Sequence, residues 1–128
     1  MNENDLNALS REIIGAAIEV HRILGPGLLE NTYRDALICE LKLRGISALS
    51  EVGIPFIYKG IKLETAFRAD IIVENEIIIE LKSTENDNPL YPKQLRTYLK
   101  IHNKKLGLVI NFNKERLKDG LTRVVNGL

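Results

Sequence analysis

Apolar residues recur at steps of three and four positions in three stretches of the chain, the spacing that lines one face of an α-helix. The pattern predicts a first helix over about Asp5–Leu24, which is ended by Gly25–Gly27. It predicts a second helix over about Leu28–Arg44, with Gly45 as its C-terminal stop. A third helix should cover Pro89–His102, with a proline near its start.

The same spacing predicts which side of each helix faces the core. The predicted core positions are Leu6, Leu9, Ile13, Ala17, Val20 and Leu24, then Leu29, Tyr33, Leu37 and Leu41, then Tyr91, Leu95, Leu99 and His102. Glu30 falls within the second stripe, where a carboxylate needs an explanation that an exposed one does not. Its place in the first turn also fits a plain interaction with the helix dipole near the surface. His21, beside the first stripe, fits a hydrogen-bonded structural histidine.

Runs rich in β-branched and aromatic residues predict strands in the middle of the chain. Ala48–Tyr58 and Ile61–Phe67 are joined by Lys59-Gly60, which predicts a hairpin, and Pro55 confines its strand to an edge or a bulge. Lys105–Phe112 predicts a buried strand, and the tail after it a short helix or an edge strand. This order of elements predicts an α/β domain with a mixed sheet and helices on its faces.

A second hairpin carries charged side chains among apolar residues. Asp70, Glu80 and Lys82 lie inside or at the ends of two strands whose centres are Ile71–Val73 and Ile77–Ile79. Buried charge is costly unless it is paired or bound to metal. Because strand side chains alternate between faces, Glu80 and Lys82 should share one face.

The length of the turn decides whether Asp70 joins them, because a one-residue slip sends every side chain to the other face. A two-residue loop at Glu74-Asn75 would set Asp70 opposite Ile79, on the wrong face. A three-residue loop at residues 74–76 would set it directly opposite Glu80. The turn lacks the Asn-Gly or Asp-Gly of two-residue hairpins and offers an Asn for a left-handed position, so the sequence favours the longer loop and a converging site.

Two converging carboxylates with a neighbouring lysine suit a hard divalent cation and an anionic substrate. Oxygen ligands favour Mg²⁺ or Mn²⁺ over softer metals, and the lysine can steady a phosphate or position a water. A surface hairpin with a cross-strand charge pattern and no function fits the same residues equally well, because the pattern is short and common.

The third helix presents two further faces. Gln94 and Tyr98 are four residues apart and share one of them. Lys93, Arg96 and Lys100 cluster on the other, which points away from Gln94 and Tyr98 and is interpreted as solvated. The basic residues of the tail are interpreted as plain surface in the same way: Arg116, Lys118 and Arg123.

Length and composition limit the possible functions. With 128 residues, we expect one domain over residues 1–128 with a core of its own. A net charge of +1 gives no global electrostatic case for nucleic acid, so any attraction has to be local. The single cysteine excludes an internal disulfide and a cysteine-rich zinc site. No apolar run approaches the length of a membrane span, so we expect a cytoplasmic protein with no membrane partner.

Taken as a set, the motifs resemble a known family. Gly27-Leu28-Leu29-Glu30-Asn31-Thr32-Tyr33 matches the signature that names the GxxExxY proteins, and residues 21–27 before it are similar to theirs. The similarity covers nearly the whole chain and continues through Arg68-Ala69-Asp70, Glu80-Leu81-Lys82, Gln94-Leu95-Arg96-Thr97-Tyr98 and residues 106–112.

That family is placed in the PD-(D/E)XK nuclease superfamily, and Gln-x-x-x-Tyr after Glu-x-Lys resembles its RecB-like branch. The resemblance implies a restriction-endonuclease-like fold. It also implies a set of site residues: Asp70 and Glu80 as metal ligands, Glu30 as a further metal residue that leans toward the ion from its helix, Lys82 as the catalytic lysine, and Gln94 and Tyr98 lining the site. The Tyr33 of the signature fits packing as well as function.

The function that follows is a Mg²⁺- or Mn²⁺-dependent nuclease that hydrolyses phosphodiester bonds, with DNA favoured over RNA as its substrate. An alternative is an idle nuclease-like binding module that works as a homodimer or with a partner protein. A third is a metal-dependent phosphoesterase for small substrates. Strandedness and the choice between end and internal cutting are not encoded in any motif of this sequence.

Overall fold

A computed structural model gives the structure of the protein and describes residues 1–63 and 67–128. Its helices are α1 (Glu3–Leu24), α2 (Glu30–Leu43), α3 (Leu90–Ile101) and a short 3-10 helix (Leu117–Gly120). Its strands are β1 (Ala48–Tyr58), β2 (Ile61–Val73), β3 (Ile77–Lys82), β4 (Leu106–Asn111) and β5 (Leu121–Val125). The predicted strand Ile61–Phe67 includes residues 64–66, which lie outside the described residues.

The described strands form one mixed sheet in the order β1-β2-β3-β4-β5. β3 and β4 are parallel, and the other neighbouring pairs are antiparallel. Parallel neighbours need a crossover connection, which α3 supplies between β3 and β4. The prediction of an α/β fold with a mixed sheet is confirmed, and the tail contains both of the elements expected as alternatives, a short helix and an edge strand.

Each face of the sheet is covered by helices. On one face, α1 and α2 bury residues such as Ile13 and Leu37 against Ile71 and Ile79. On the other face, α3 packs its buried core residues against a second set of sheet residues: Leu95 and Leu99 lie among Ala69, Ile72, Ile78, Val109 and Val124. Alternate residues of β2 and β3 therefore enter different cores, which explains why these strands read as nearly continuous apolar runs.

The β1–β2 hairpin follows its turn chemistry. Lys59 and Gly60 form the loop with positive φ angles of 49° and 79°, the conformation that two-residue hairpins require. The strand register shifts between Ile54 and Phe56, and Pro55 lies at that irregularity on the edge strand β1. Both parts of the proline prediction are confirmed, because a residue without an N–H cannot complete a central ladder.

The predicted start of α2 is wrong. The helix begins at Glu30 rather than at Leu28, and Leu29 is its N-cap with a side chain that is 77% exposed. Leu29 therefore leaves the predicted apolar stripe, whereas Tyr33 and Leu37 are fully buried in it. Glu30 is exposed rather than core-facing, because it occupies the first position of the helix, where the chain enters from an extended loop.

The predicted stripe of α3 holds at its centre and fails at its ends. Leu95 and Leu99 are fully buried, whereas Tyr91 and His102 are only partly buried. His102 follows the last residue of the helix, so it no longer obeys the helical spacing. Among the described residues, no helix has the length and apolar character to cross a membrane.

Candidate functional site

The Asp70 hairpin has the predicted register. Val73 pairs with Ile77 and Ile71 with Ile79, which leaves residues 74–76 as a three-residue loop. Asn75 adopts a positive φ of 55°, as its residue type allows. Extending the same register by one residue sets Asp70 opposite Glu80.

Strand β2 separates from β3 at Asp70. Their backbone pairing ends at Ile71 and Ile79, and beyond it the N–H of Leu81 donates to Oδ2 of Asp70 at 2.7 Å. Ala69 packs in the core under α3 although Ile71, two residues on, packs under α1 and α2, so the alternation of the strand is broken here. The Asp70 carboxylate thus takes the place of a backbone acceptor at the point where the sheet opens.

Glu80 carries the most perturbed carboxylate of the described chain. It shares the α3 side of β3 with Ile78, and its Oε1 is buried without a hydrogen-bond partner among the described residues. Burial, followed by the negative charge of Asp70, raises the pKa of Glu80 to about 8. Burial also raises the pKa of Asp70, against the opposing effects of the Leu81 N–H and the Lys82 charge.

Lys82 lies between these carboxylates and helix α3. Its positive charge lowers the pKa of both Asp70 and Glu80, in opposition to burial. Its Nζ is 4.3 Å from the centre of the Tyr91 ring, within the range of a cation–π interaction. The ammonium group therefore lies within electrostatic reach of both acids and within cation–π distance of the Tyr91 ring.

Tyr98 also belongs to this neighbourhood, and Gln94 lies one turn before it on α3. The Tyr98 ring stacks on Phe67 with the ring centres 3.4 Å apart. Burial, and then the charge of Glu80, raises the pKa of Tyr98, which places its hydroxyl within electrostatic reach of Glu80. Gln94 is exposed, so its side chain is available to a ligand.

The opposite wall of the site comes from α2. A cleft of about 210 Å³ is lined by Glu30, Asn31, Arg34, Glu51, Asp70 and Leu81. Nη1 of Arg34 lies 2.7 Å from Oε1 of Glu51, and the charge of Arg34 lowers the pKa of Asp70. Sequence reasoning missed Arg34, although its place four residues after Glu30 puts both on one helix face.

Tyr33 is a packing residue that fixes the entry to α2. Its ring is fully buried and stacks on Phe112 at 4.4 Å, while its hydroxyl donates to the Gly25 carbonyl at 2.5 Å and accepts from the Leu28 N–H at 3.1 Å. Ser83 Oγ, just after β3, donates to the Leu28 carbonyl at 2.6 Å. These bonds hold the loop before α2 against the end of β3, which positions Glu30 at the cleft.

The donor set fits a hard divalent cation. Burial raises the pKa of both Asp70 and Glu80, and Oε1 of Glu80 is buried without a hydrogen-bond partner among the described residues. A bound divalent cation would stabilise the ionised form of both carboxylates. In the part of the chain that the structure describes, no three His, Cys, Asp or Glu side chains form a group that could hold a metal. Asp70 and Glu80 therefore form a pair, which suits an ion such as Mg²⁺ that keeps several waters.

A comparison with protein families agrees with this fold. The chain matches the family described as the PD-(D/E)XK nuclease superfamily over residues 7–124. It belongs to that superfamily. As expected for a PD-(D/E)XK nuclease fold, the structure is a restriction-endonuclease-like α/β sheet with flanking helices. Superfamily members generally use divalent metals, and membership suggests an interaction with nucleic acid.

Other comparisons add the fold alone. No curated protein matches the chain significantly. The crystal structure of SSO0001 is similar with a TM-score of 0.58 and 24% sequence identity, over 77% of this chain and 51% of that one. This PD-(D/E)XK chain thus spans about half the length of that structure, and the likeness carries no information about substrate.

Proposed function

We propose that the protein is a divalent-metal-dependent nuclease that hydrolyses phosphodiester bonds, with DNA as the favoured substrate. The observation that supports this best is the state of Glu80. Its carboxylate is buried beside Asp70 and Lys82 with an unpartnered oxygen, and its pKa is raised to about 8. A surface hairpin without a function would gain nothing from the free-energy cost of a buried, unpartnered carboxylate. Side chains with strongly shifted pKa values cluster at functional sites.

Asp70 and Glu80 would hold the metal, Mg²⁺ or Mn²⁺, together with the Leu81 carbonyl. When bound, the ion would lower the pKa of a water molecule and stabilise negative charge on the phosphate. Asp70 is already oriented by the Leu81 N–H at 2.7 Å. Glu30 lies on the wall of the same cleft as Asp70 and would contact the metal indirectly, through a water molecule that it holds.

Lys82, Gln94 and Tyr98 would act on the substrate. Lys82 carries its ammonium beside the two carboxylates, where it would orient the attacking water or neutralise charge that develops on the phosphate. Tyr98, near Glu80, and the exposed Gln94 would donate hydrogen bonds to phosphate oxygens. Charge-assisted bonds of this kind are stronger than neutral ones.

Finer assignments belong to the same proposal. The Gly27–Tyr33 signature supports membership of the GxxExxY proteins, and Gln94 with Tyr98 after Glu80-x-Lys82 supports the RecB-like branch. We propose one nuclease-like domain over residues 1–128. A single cysteine supports a reducing, cytoplasmic location.

The test is cleavage of end-labelled single- and double-stranded DNA and RNA by purified protein with Mg²⁺, Mn²⁺ or EDTA. Glu80→Ala and Lys82→Ala should each lower metal-dependent cleavage at least about a hundredfold while the fold is retained. The matched controls are Glu3→Ala and Lys118→Ala, because both side chains are exposed and lie on other elements, α1 and the 3-10 helix. Cleavage that persists in Glu80→Ala would refute this assignment.

A second candidate function is a nuclease-like binding module that works as a homodimer or with a partner protein. The observation in its favour is that the described residues offer a pair of carboxylates and no larger metal-binding group. Folded protein that binds nucleic acid but cuts none of the four substrates with either metal would select it. Cleavage of small phosphodiesters but of no polymer would instead select a phosphoesterase.

A further inference from the structure

Helix α3 concentrates the positive charge of the protein. It contains Lys93, Arg96 and Lys100 and no acidic residue. The whole chain has 18 Lys and Arg against 17 Asp and Glu, so without these three it has 15 against 17 and a net charge of −2. A nearly neutral protein thus presents a local cationic surface.

The three basic side chains form one line along the helix. At 100° per residue, positions 93, 96 and 100 fall within about 60° of one another, and they span about 10 Å along the axis. All three are exposed, and none forms an ion pair with another described residue. This basic line of α3 is therefore free to bind an external anion.

Two grooves that share Pro92 lie between the candidate site and two residues of the basic line, Lys93 and Arg96. One groove of about 240 Å³ has Lys82 and Tyr91 on its wall and reaches Pro92 and Thr122. A second groove of about 340 Å³ starts at the same Pro92 and is lined by Lys93 and Arg96. Asp87, which also lines the first groove, is neutralised by Lys114 at 3.2 Å.

We infer that this path binds a nucleic-acid strand, with its phosphates on Lys93, Arg96 and Lys100 while a neighbouring phosphate lies at Lys82. The inference rests on the proposed function for its substrate class, but it does not require hydrolysis. A cationic groove beside aromatic side chains is the arrangement that tracks a single strand without reading its sequence. Tyr91, at the inner groove, offers a ring on which a base can stack.

The test is binding of a fluorescein-labelled 20-nucleotide DNA single strand, the matching duplex and labelled poly-glutamate, measured by fluorescence anisotropy in EDTA at several salt concentrations. The variant is Lys93→Glu/Arg96→Glu/Lys100→Glu. The matched control is Arg11→Glu/Lys42→Glu/Lys118→Glu, which changes the same charges at exposed positions on other elements. A neutral set, Lys93→Gln/Arg96→Gln/Lys100→Gln, replaces the charge reversals if they unfold the helix.

We expect the α3 variant to bind the strand at least about tenfold more weakly, with a salt slope smaller by about 0.7 for each lost phosphate contact. The control variant should bind as the wild type does. Equal affinity of wild type and α3 variant, no binding of nucleic acid by the wild type, or equally tight binding of poly-glutamate would each overturn the inference. Binding that depends on the α3 residues, together with no cleavage in the separate assay with Mg²⁺ or Mn²⁺, would support the inference while refuting the nuclease.

Discussion

The Nζ of Lys82 lies 4.3 Å from the centre of the Tyr91 ring, so a residue outside the signature motifs holds the lysine of the candidate site. The two belong to neighbouring elements, β3 and the first turn of α3, and their contact depends on how α3 docks on the sheet. An aromatic face attracts a cation without forming a bond that would have to break when the lysine meets an anion.

Tyr91→Leu should therefore release Lys82, whereas Tyr91→Phe should retain it. In NMR spectra, the ε-methylene protons of Lys82 should show a ring-current shift in the wild type and in Tyr91→Phe that disappears in Tyr91→Leu. Cleavage should fall about fivefold in kcat in Tyr91→Leu with little change in KM, since the ring contributes about 1 kcal/mol to the position of the cation. An unchanged Lys82 spectrum in Tyr91→Leu would contradict this role.

Glu80→Gln should stabilise the metal-free protein at high pH. The pKa of Glu80 is raised in the folded state to about 8 from the ordinary 4.5, so unfolding releases its proton throughout this interval. Stability contributed by the protonated group is complete below pH 4.5 and is lost as the pH rises to about 8. In EDTA, the variant should match the wild type near pH 4 and exceed it by on the order of a few kcal/mol near pH 9.

The measurement is urea unfolding across this pH range. Glu85→Gln is the control, because Glu85 is exposed in the loop after β3 and should follow the wild type at every pH. A constant difference between Glu80→Gln and the wild type from pH 4 to pH 9 would argue against a buried, protonated Glu80.

A divalent metal should stabilise the folded protein through Asp70 and Glu80. At a hundredfold excess of Mg²⁺ or Mn²⁺ over the dissociation constant, the free energy of unfolding should rise by about 2.7 kcal/mol. Thermal unfolding with and without EDTA measures this gain. Asp70→Asn/Glu80→Gln should abolish it and Glu85→Gln should keep it; a gain of equal size in all three proteins would indicate that the ion binds elsewhere.

Tyr33→Phe should destabilise the protein although it removes a single atom. The hydroxyl donates to Gly25 and accepts from Leu28, and both backbone groups would lose a partly buried hydrogen bond. The expected loss is about 1–3 kcal/mol in urea unfolding. Tyr58→Phe is the control, because Tyr58 is 59% exposed, and equal stabilities for the two variants would count against the anchoring role.

Gly120→Ala tests how tightly the tail closes on the end of β4. A Cβ at Gly120 would lie 2.2 Å from the Asn111 carbonyl oxygen, so the backbone would have to move. The side chain of Asn111 accepts from Thr84 N–H at 3.2 Å and thereby organises the loop beside the site. We expect a loss of about 1–3 kcal/mol, and Gly53→Ala, with open space around its Cβ, should be nearly neutral.

The sequence predicted most of the elements because their signals are local. Pro55 marked the edge-strand irregularity, and the 74–76 loop followed from the absence of Asn-Gly or Asp-Gly. The helix periodicity located Leu37 and Leu95 in the core. Periodicity failed at Leu29 and His102, where each helix gives way to a loop and the 100° step no longer applies.

The candidate site was partly predictable for the same reason. Asp70, Glu80 and Lys82 lie on one hairpin, whose register follows from its turn. Arg34 and Tyr91 were identified as neighbours of the site only from the structure, because their contacts with the hairpin depend on how helices α2 and α3 pack against the sheet. The metal-binding roles of Asp70, Glu80 and Glu30 and the catalytic roles of all six site residues, which include Lys82, Gln94 and Tyr98, stay predictions.

The sequence by itself determined the order of helices and strands and the register that sets Asp70 against Glu80, since each depends on residues close together in the chain. It also determined the superfamily, because a set of short motifs in a fixed order can be recognised without knowing how they pack. The tertiary structure alone decided the perturbed pKa of Glu80, the contact of Lys82 with Tyr91 and the exposed position of Glu30. Burial, charge proximity and ring contact depend on how separate elements pack, and no local pattern of residues encodes that packing.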